Sequence, residues 1–297
     1  MIIEDDNMFL GIIFAILVAV LWALGEVSYS KISKRYDRHN VYMYTYLFRA
    51  VIYIGVVLIF GRHLFGTFDT NVFITMLPII LCDLFASYVV NIAVHNGKLS
   101  VVSPIMAAYP VLDIALGGLF LQETVGAPKL FLVGGICIAI ILLAINQKKD
   151  RKAPHPIIGI IFSVVYMLLV AFSTYFEKSA YIGSYTVFDL YYYKGMVYTF
   201  VSVVFAIIVI VTPSKMKEIK ADILKGCALT PLGNVLYSFA LSFGSITIVA
   251  PLSSLYSVIT NLISRIVLKE KISREERACI AIIIIFTILL ILLGLMV

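Results

Sequence analysis

The sequence predicts an all-α membrane protein, with ten transmembrane helices in two inverted five-helix repeats around a central cavity. Three observations predict it. Of 297 residues, 62% are hydrophobic and 13% charged, and the mean hydropathy is +1.04, far outside the range of soluble domains. The apolar residues gather into ten continuous runs, each close to the roughly 20 residues a helix needs to cross hydrocarbon. And the stretch from Gly97 to Glu123 is written a second time as Gly244 to Glu270.

The runs cover residues 9–29, 42–60, 73–95, 100–121, 129–146, 156–176, 188–211, 223–243, 247–268 and 277–296. They are continuous and too long for barrel strands of roughly ten alternating residues, so they read as helices. The first is followed by a basic connection and lacks a small-residue cleavage site, so it reads as a retained helix. No connection exceeds about fifteen residues, which leaves no room for a soluble catalytic or ligand-binding domain. Cys82, Cys137, Cys227 and Cys279 are scattered and read as small packing residues. The four histidines are equally dispersed. No metal or cofactor site is predicted.

The net charge of +6 is a topology signal. Of 23 Lys and Arg, 17 lie in odd-numbered connections between spans, while Arg62, Lys129 and Lys178 lie in even ones. Basic residues in short loops stay cytoplasmic, so the odd connections are predicted inside and both termini outside a multi-pass protein of the cell membrane. No basic face is interleaved with exposed aromatics, which excludes nucleic acid as a partner. The expected partners are the lipid bilayer and a small-molecule metabolite, bound by a monomer or homodimer.

The duplication is ordered. Gly97, Pro104, Tyr109 and Glu123 recur as Gly244, Pro251, Tyr256 and Glu270, all at an offset of 147. Gly11-Ile12-Ile13-Phe14 returns as Gly159-Ile160-Ile161-Phe162 at an offset of 148, and Tyr46, Arg49 and Tyr53 return as Tyr191, Lys194 and Tyr198 at 145. The halves are 1–147 and 148–297. Five helices per copy is an odd number, so the second copy enters the bilayer from the opposite side. Inverted repeats place a substrate site near the midplane and let one arrangement open alternately to each side.

Leu21-Trp22-Ala23-Leu24-Gly25, Arg49, the Pro104 helix ending in Leu121-Gln122-Glu123, and the second copy ending in Leu268-Lys269-Glu270 resemble the two EamA repeats of the drug/metabolite transporter superfamily. The resemblance spans essentially the full chain. It implies two inverted five-helix repeats around a central cavity and transport of small metabolites by alternating access. It also implies cytoplasmic termini, where the charge pattern predicts the reverse. The counterpart of Trp22 is Val170, so the tryptophan motif is not duplicated.

An ionisable group inside a span is costly and marks function by default. Glu26 lies four residues after Trp22 on one face of the first helix. There it either holds a cationic amine or a proton in the cavity, or pairs with a lysine at the membrane interface. Asp83 and Asp113 are flanked by apolar residues and replaced by Thr230 and Thr260 in the second copy. Such asymmetry suits ligand contacts, whereas the alternative is that either neutralises Arg49 or Lys194. Those two cations occupy matching positions and read as a gating or charge pair in preference to a substrate ligand. Glu177 and Asp189 fall near span ends. Arg265 is read as reaching to the interface.

Tyr109 and Tyr256 lie well inside their spans and are predicted at the cavity, with Tyr46 and Tyr191 as an aromatic wall. His95 differs from Ser242 in the second copy and joins the substrate-binding set of Trp22, Glu26, Tyr46, Asp83, His95, Tyr109, Asp113, Tyr191 and Tyr256. Gly97 and Gly244 are predicted in tight hairpins, Pro104 and Pro251 as first-turn prolines or points of loosened backbone, and Glu123 and Glu270 as caps of the following helices. The function expected is a secondary transporter of a small polar or amphipathic metabolite, an amino acid or amine-type compound, without catalytic residues. A channel and an intramembrane lipid-processing enzyme are the alternatives.

Overall fold

A computed structural model describes residues 2–121, 126–147, 155–211, 221–269 and 273–295. The described residues are helical almost throughout and contain no strand. Twelve α-helices follow one another: α1 (Ile2–Arg35), α2 (Arg38–Phe60), α3 (Thr70–Asn96), α4 (Leu99–Met106), α5 (Pro110–Phe120), α6 (Ala127–Gln147), α7 (Pro156–Ile182), α8 (Val187–Val211), α9 (Ala221–Phe243), α10 (Ile246–Ser254), α11 (Tyr256–Val267) and α12 (Arg274–Leu295). A 3-10 turn at Arg62–Leu64 joins α2 to α3.

Among the described residues, eight helical stretches are long and apolar enough to cross a membrane. They are α1, α2, α3, the α4–α5 pair, α7, α8, α9 and the α10–α11 pair. The fifth and tenth predicted spans are also helical, as α6 and α12. Over the described residues, however, α12 contributes only a shorter apolar helix, Arg277–Leu289, and α6 falls outside the count. Eight spans are counted, therefore, where the sequence predicts ten.

Local chemistry sets several helix starts. Asp37 accepts from the amide of His39 at 2.9 Å, and Asp69 accepts from those of Asn71 and Val72 at 2.8 and 3.3 Å. Both satisfy first-turn donors that have no intrahelical partner. At the start of α8, Thr186 and Asp189 exchange hydrogen bonds as a capping box: the Thr186 amide donates to Asp189 at 2.8 Å and the Asp189 amide to the Thr186 hydroxyl at 3.2 Å. Asp189 is thereby a helix-start residue.

The helices pair across the two copies. α1 packs along α9 and α7 along α3, α2 packs along α8, and α6 along α12. Under the repeat correspondence α1 answers to α7 and α3 to α9, so the first two contacts are images of each other. The other two pair each helix with its own counterpart. The α2–α8 seam is built on tyrosine: Tyr46, Tyr53, Tyr191 and Tyr198 are buried. Tyr46 meets Tyr198 at 5.8 Å between ring centroids, and the image pair Tyr191 and Tyr53 meets at 4.8 Å. Such pairs contribute about 0.5–1.5 kcal/mol each beyond area burial.

Glycine accounts for the ends of the long pairs by a route other than hairpin geometry. Gly97 has φ −106°, which any residue adopts. A Cβ on Gly159 would lie 2.8 Å from the Cα of Gly97, and one on Gly11 would lie 3.4 Å from the Cα of Gly244. Gly97 with Gly159, and Gly244 with Gly11, are the same contact in the two copies, where bare backbones let α7 approach α3 and α1 approach α9.

Two spans are broken. α4 and α5 are separated by Ala107–Tyr109, because Pro110 opens α5 and has no N–H to continue α4. α10 and α11 are separated at Leu255 alone, where the residue matching Pro110 is Ser257. Pro104 and Pro251 lie within α4 and α10, not at the breaks. The carbonyl of Ser100, four residues before Pro104, accepts from Asn261 Nδ2 at 2.8 Å. The carbonyl of Ala250, just before Pro251, accepts from the Tyr109 hydroxyl at 3.1 Å. In the first broken span a side chain of the other copy thus satisfies the carbonyl that the proline deprives of its donor, the condition on which irregular backbone survives at membrane depth.

Candidate functional site

The charged centre joins residues that the chain keeps far apart. Asp83 Oδ1 lies 3.2 Å from Arg49 Nη1, and Asp83 Oδ2 lies 3.4 Å from Lys194 Nζ. The Tyr198 hydroxyl donates to Asp83 Oδ2 at 3.0 Å, and Arg49 Nη1 donates to Tyr198 at 3.4 Å and Tyr53 at 3.5 Å. The Arg49 guanidinium stands 5.6 Å from the Tyr198 ring centroid and the Lys194 ammonium 5.3 Å from that of Tyr191. Arg49 and Lys194, equivalent in the two copies, thus share one carboxylate, and each is backed by a tyrosine of α8. Taking ions out of water costs several kcal/mol each unless pairing and hydrogen bonds compensate, and Asp83 supplies both.

Two cavities flank this centre. The first, of about 50 Å³, is lined by Trp22, Glu26, Tyr29, Arg49, Tyr166 and Tyr256 among others. The second, of about 60 Å³, is lined by Asp83, Thr174, Glu177, Lys194, Asn234 and Tyr237 among others. Both share Trp22, Arg49, Ser87, Tyr166 and Thr230, which form a waist between them. Each has room for a few waters, at roughly 10–15 Å³ apiece.

The two chambers are repeat images of each other. Trp22, Glu26, Tyr29, Arg49, Ser87, Val90 and Thr230 of the first correspond to Val170, Thr174, Glu177, Lys194, Asn234, Tyr237 and Asp83 of the second. Their shapes match, but their chemistry differs. The first chamber has one carboxyl, Glu26, among aromatic rings with Arg49; the second has two, Asp83 and Glu177, with Arg49 and Lys194.

A polar thread crosses the waist. Trp22 Nε1 donates to Asn234 Oδ1 at 2.9 Å, Asn234 Nδ2 donates to the Tyr53 hydroxyl at 3.2 Å, and Tyr53 also accepts from Arg49. The Trp22 ring meets Tyr256 edge-on at 5.7 Å and Tyr237 at 5.1 Å.

Of the residues singled out in the sequence, Trp22, Glu26, Asp83 and Tyr256 line the chambers, as do Arg49 and Lys194. Glu26 is buried and accepts from the Ser103 hydroxyl at 2.6 Å. It lies nine residues before the end of α1 at Arg35. Tyr191 stands directly behind Lys194 and bonds Ser238 at 2.8 Å. Tyr46, His95, Tyr109 and Asp113 line neither chamber. Tyr46 belongs to the tyrosine seam, and His95 Nδ1 lies 2.9 Å from the Ser33 carbonyl. Tyr109 spends its hydroxyl on Ala250. Asp113 is fully buried in the first turn of α5, where a carboxylate complements the positive helix end. Glu123 and Glu270 lie outside the described residues.

Glu177 is the chief residue the sequence reading leaves at a span end. It is buried, lines the second chamber and accepts from Tyr181 at 2.8 Å. The apolar run stops at Phe176, but α7 continues to Ile182. Ser87 and Asn234, also unmarked, carried a readable signal: both are polar, inside spans and equivalent under the repeat.

The sequence model of the EamA-like transporter family matches residues 9–145 and again 157–293. The chain belongs to the EamA-like transporter family. Solved structures share its fold: one crystal structure covers 97% of this chain with 97% of its own, at 14% identity and a TM-score of 0.65. No curated protein matches the chain significantly. As an EamA-like transporter this is a multi-pass membrane protein.

Proposed function

We propose that this EamA-like protein is a secondary transporter moving a small polar or amphipathic metabolite, an amino acid or amine-type compound, by alternating access. The observation that carries the reading is the pair of chambers equivalent under the repeat and meeting at the Trp22–Arg49 waist. A duplicated scaffold with one half-site per copy exposes the same solute first to one side and then to the other. Trp22, Glu26, Asp83 and Tyr256 contact the solute, and Arg49 and Lys194, sharing Asp83, form the charge pair that reorganises between states. The halves 1–147 and 148–297 act as the two moving units. The protein lies in the cell membrane with odd-numbered connections in the cytoplasm and both termini outside, supported by the loop charges.

The test is a thermal-shift screen of metabolites on purified protein, since a ligand that binds only the folded state stabilises it, followed by uptake of the hits into proteoliposomes. Protein-dependent, saturable uptake is expected. Failure of every stabilising solute to cross, with turnover of a lipid detected instead, overturns the transporter reading.

A further inference from the structure

The lining of the two chambers carries three carboxyls, Glu26, Asp83 and Glu177, against two cations, Arg49 and Lys194. With all five ionised, the lining carries an excess of one negative charge. Asp83 is committed to both cations, and Glu177 shares its chamber with Lys194. Glu26 has no cation within ion-pair distance among the described residues: its bonding partner is the Ser103 hydroxyl. The same chamber brings four aromatic residues to it, Trp22 edge-on to Tyr256, with Tyr29 and Tyr166, and its one cation, Arg49, is turned to Asp83. A buried carboxylate without a cation, facing aromatic rings, fits an ammonium group, which satisfies the charge and is attracted to ring faces.

We propose that Glu26 and Glu177 are two carboxylate stations for one organic monocation, a protonated amine with a small apolar body, carried from one chamber to the other. The inference rests on the transporter reading and narrows its substrate class. Glu26 and Glu177 lie on equivalent helices, α1 and α7, one in each chamber, and the position matching each is Thr174 or Tyr29. The arrangement therefore offers one glutamate on either side of the waist, with the internally bridged Arg49–Asp83–Lys194 set between them. An anion would have to displace Asp83 from both cations, and a zwitterion would leave the excess charge unbalanced. A monocation cancels it.

Trp22 is the chain's single tryptophan and lines both chambers, so its emission reports the site alone. The probes share one isopentyl body: isoamylamine as the cation, leucine as the zwitterion and 4-methylpentanoate as the anion. Isoamylamine is expected to change Trp22 emission saturably, with leucine and 4-methylpentanoate at least about tenfold weaker. Glu26→Gln should weaken amine binding about tenfold or more, and Glu26→Asp should recover part of it. Thermal unfolding of each variant verifies the fold. Glu177→Gln should slow isoamylamine uptake into proteoliposomes about fivefold or more, with partial recovery in Glu177→Asp.

No response to isoamylamine at millimolar concentration, leucine or 4-methylpentanoate binding as tightly as the amine, unchanged binding in Glu26→Gln, or unchanged uptake in Glu177→Gln would each overturn the proposal. The two readings fail differently. Leucine crossing while isoamylamine does not removes the cation stations and keeps the transporter. Isoamylamine binding at Trp22 with no solute crossing removes the transporter, and with it the passage between stations.

Discussion

Asn261 Nδ2 donates at 2.8 Å to the carbonyl of Ser100, the acceptor left without its helical N–H by Pro104 four residues later. One copy of the repeat thus completes a broken span of the other. Asn261→Ala should strand that buried carbonyl and cost about 1–3 kcal/mol. Pro104→Ala in the same chain supplies an N–H, so the double variant should lose less than Asn261→Ala alone. Thermal unfolding in detergent measures both; strict additivity of the two changes would mean that the bond is not a substitute for the helical one.

Gly159 and Gly11 make the same contact in the two copies but at different clearance. A Cβ on Gly159 would meet Gly97 backbone at 2.8 Å, while one on Gly11 would meet nothing closer than 3.2 Å. Gly159→Ala should therefore destabilise by about 1–3 kcal/mol and Gly11→Ala by less. Equal melting temperatures for the two variants would contradict the packing argument.

Asp83→Asn should be among the most damaging single changes. It leaves Arg49 and Lys194 buried side by side without their shared counter-charge, a loss of about 3–5 kcal/mol. Adding Lys194→Met removes one of the repelling cations and should restore part of the stability, read as folded yield and melting temperature. A double variant no better than Asp83→Asn would show that like-charge burial is not the cause.

Gly233 holds open the space for Trp22. A Cβ there would lie 2.5 Å from Trp22 Cδ1, so Gly233→Ala should push the indole into the waist. Uptake should fall severalfold and Trp22 emission should shift, at a stability cost of about 1–3 kcal/mol. Wild-type uptake in this variant would mean that the solute does not pass the indole.

The loop charges make a prediction separate from the site. A reporter active only in the cytoplasm, fused after Val297, should be silent, because 17 basic residues in odd connections against three in even ones predict an outside C-terminus. An active reporter would reverse the orientation and leave the fold unchanged.

Much of the molecule was legible in the letters because it depends on local or repeated patterns. Hydropathy identified the helices, since a segment's preference for hydrocarbon is a property of that segment. The offsets of 145 to 148 identified the copies and paired Arg49 with Lys194 before any contact was known. Glu26, Asp83, Trp22 and Tyr256 stood out because polar or aromatic groups inside a span are costly or conspicuous. What the letters left open was which partner each group finds. Asp83 was read either as a ligand or as a counter-ion, and it bridges both cations because α2, α3 and α8 converge on it. Asp113 and Tyr109 look as exposed to a cavity as Glu26 does, yet one is buried in the first turn of α5 and the other bonds a carbonyl of the other copy. Glu177 falls at the end of an apolar run, which stops where polarity begins, whereas its helix ends where the hydrogen bonds do. The chain by itself determined its all-helical, membrane-crossing character and its twofold plan. Only the tertiary structure decided the site, because charge pairing, cavity shape and backbone clearance arise between segments more than a hundred residues apart.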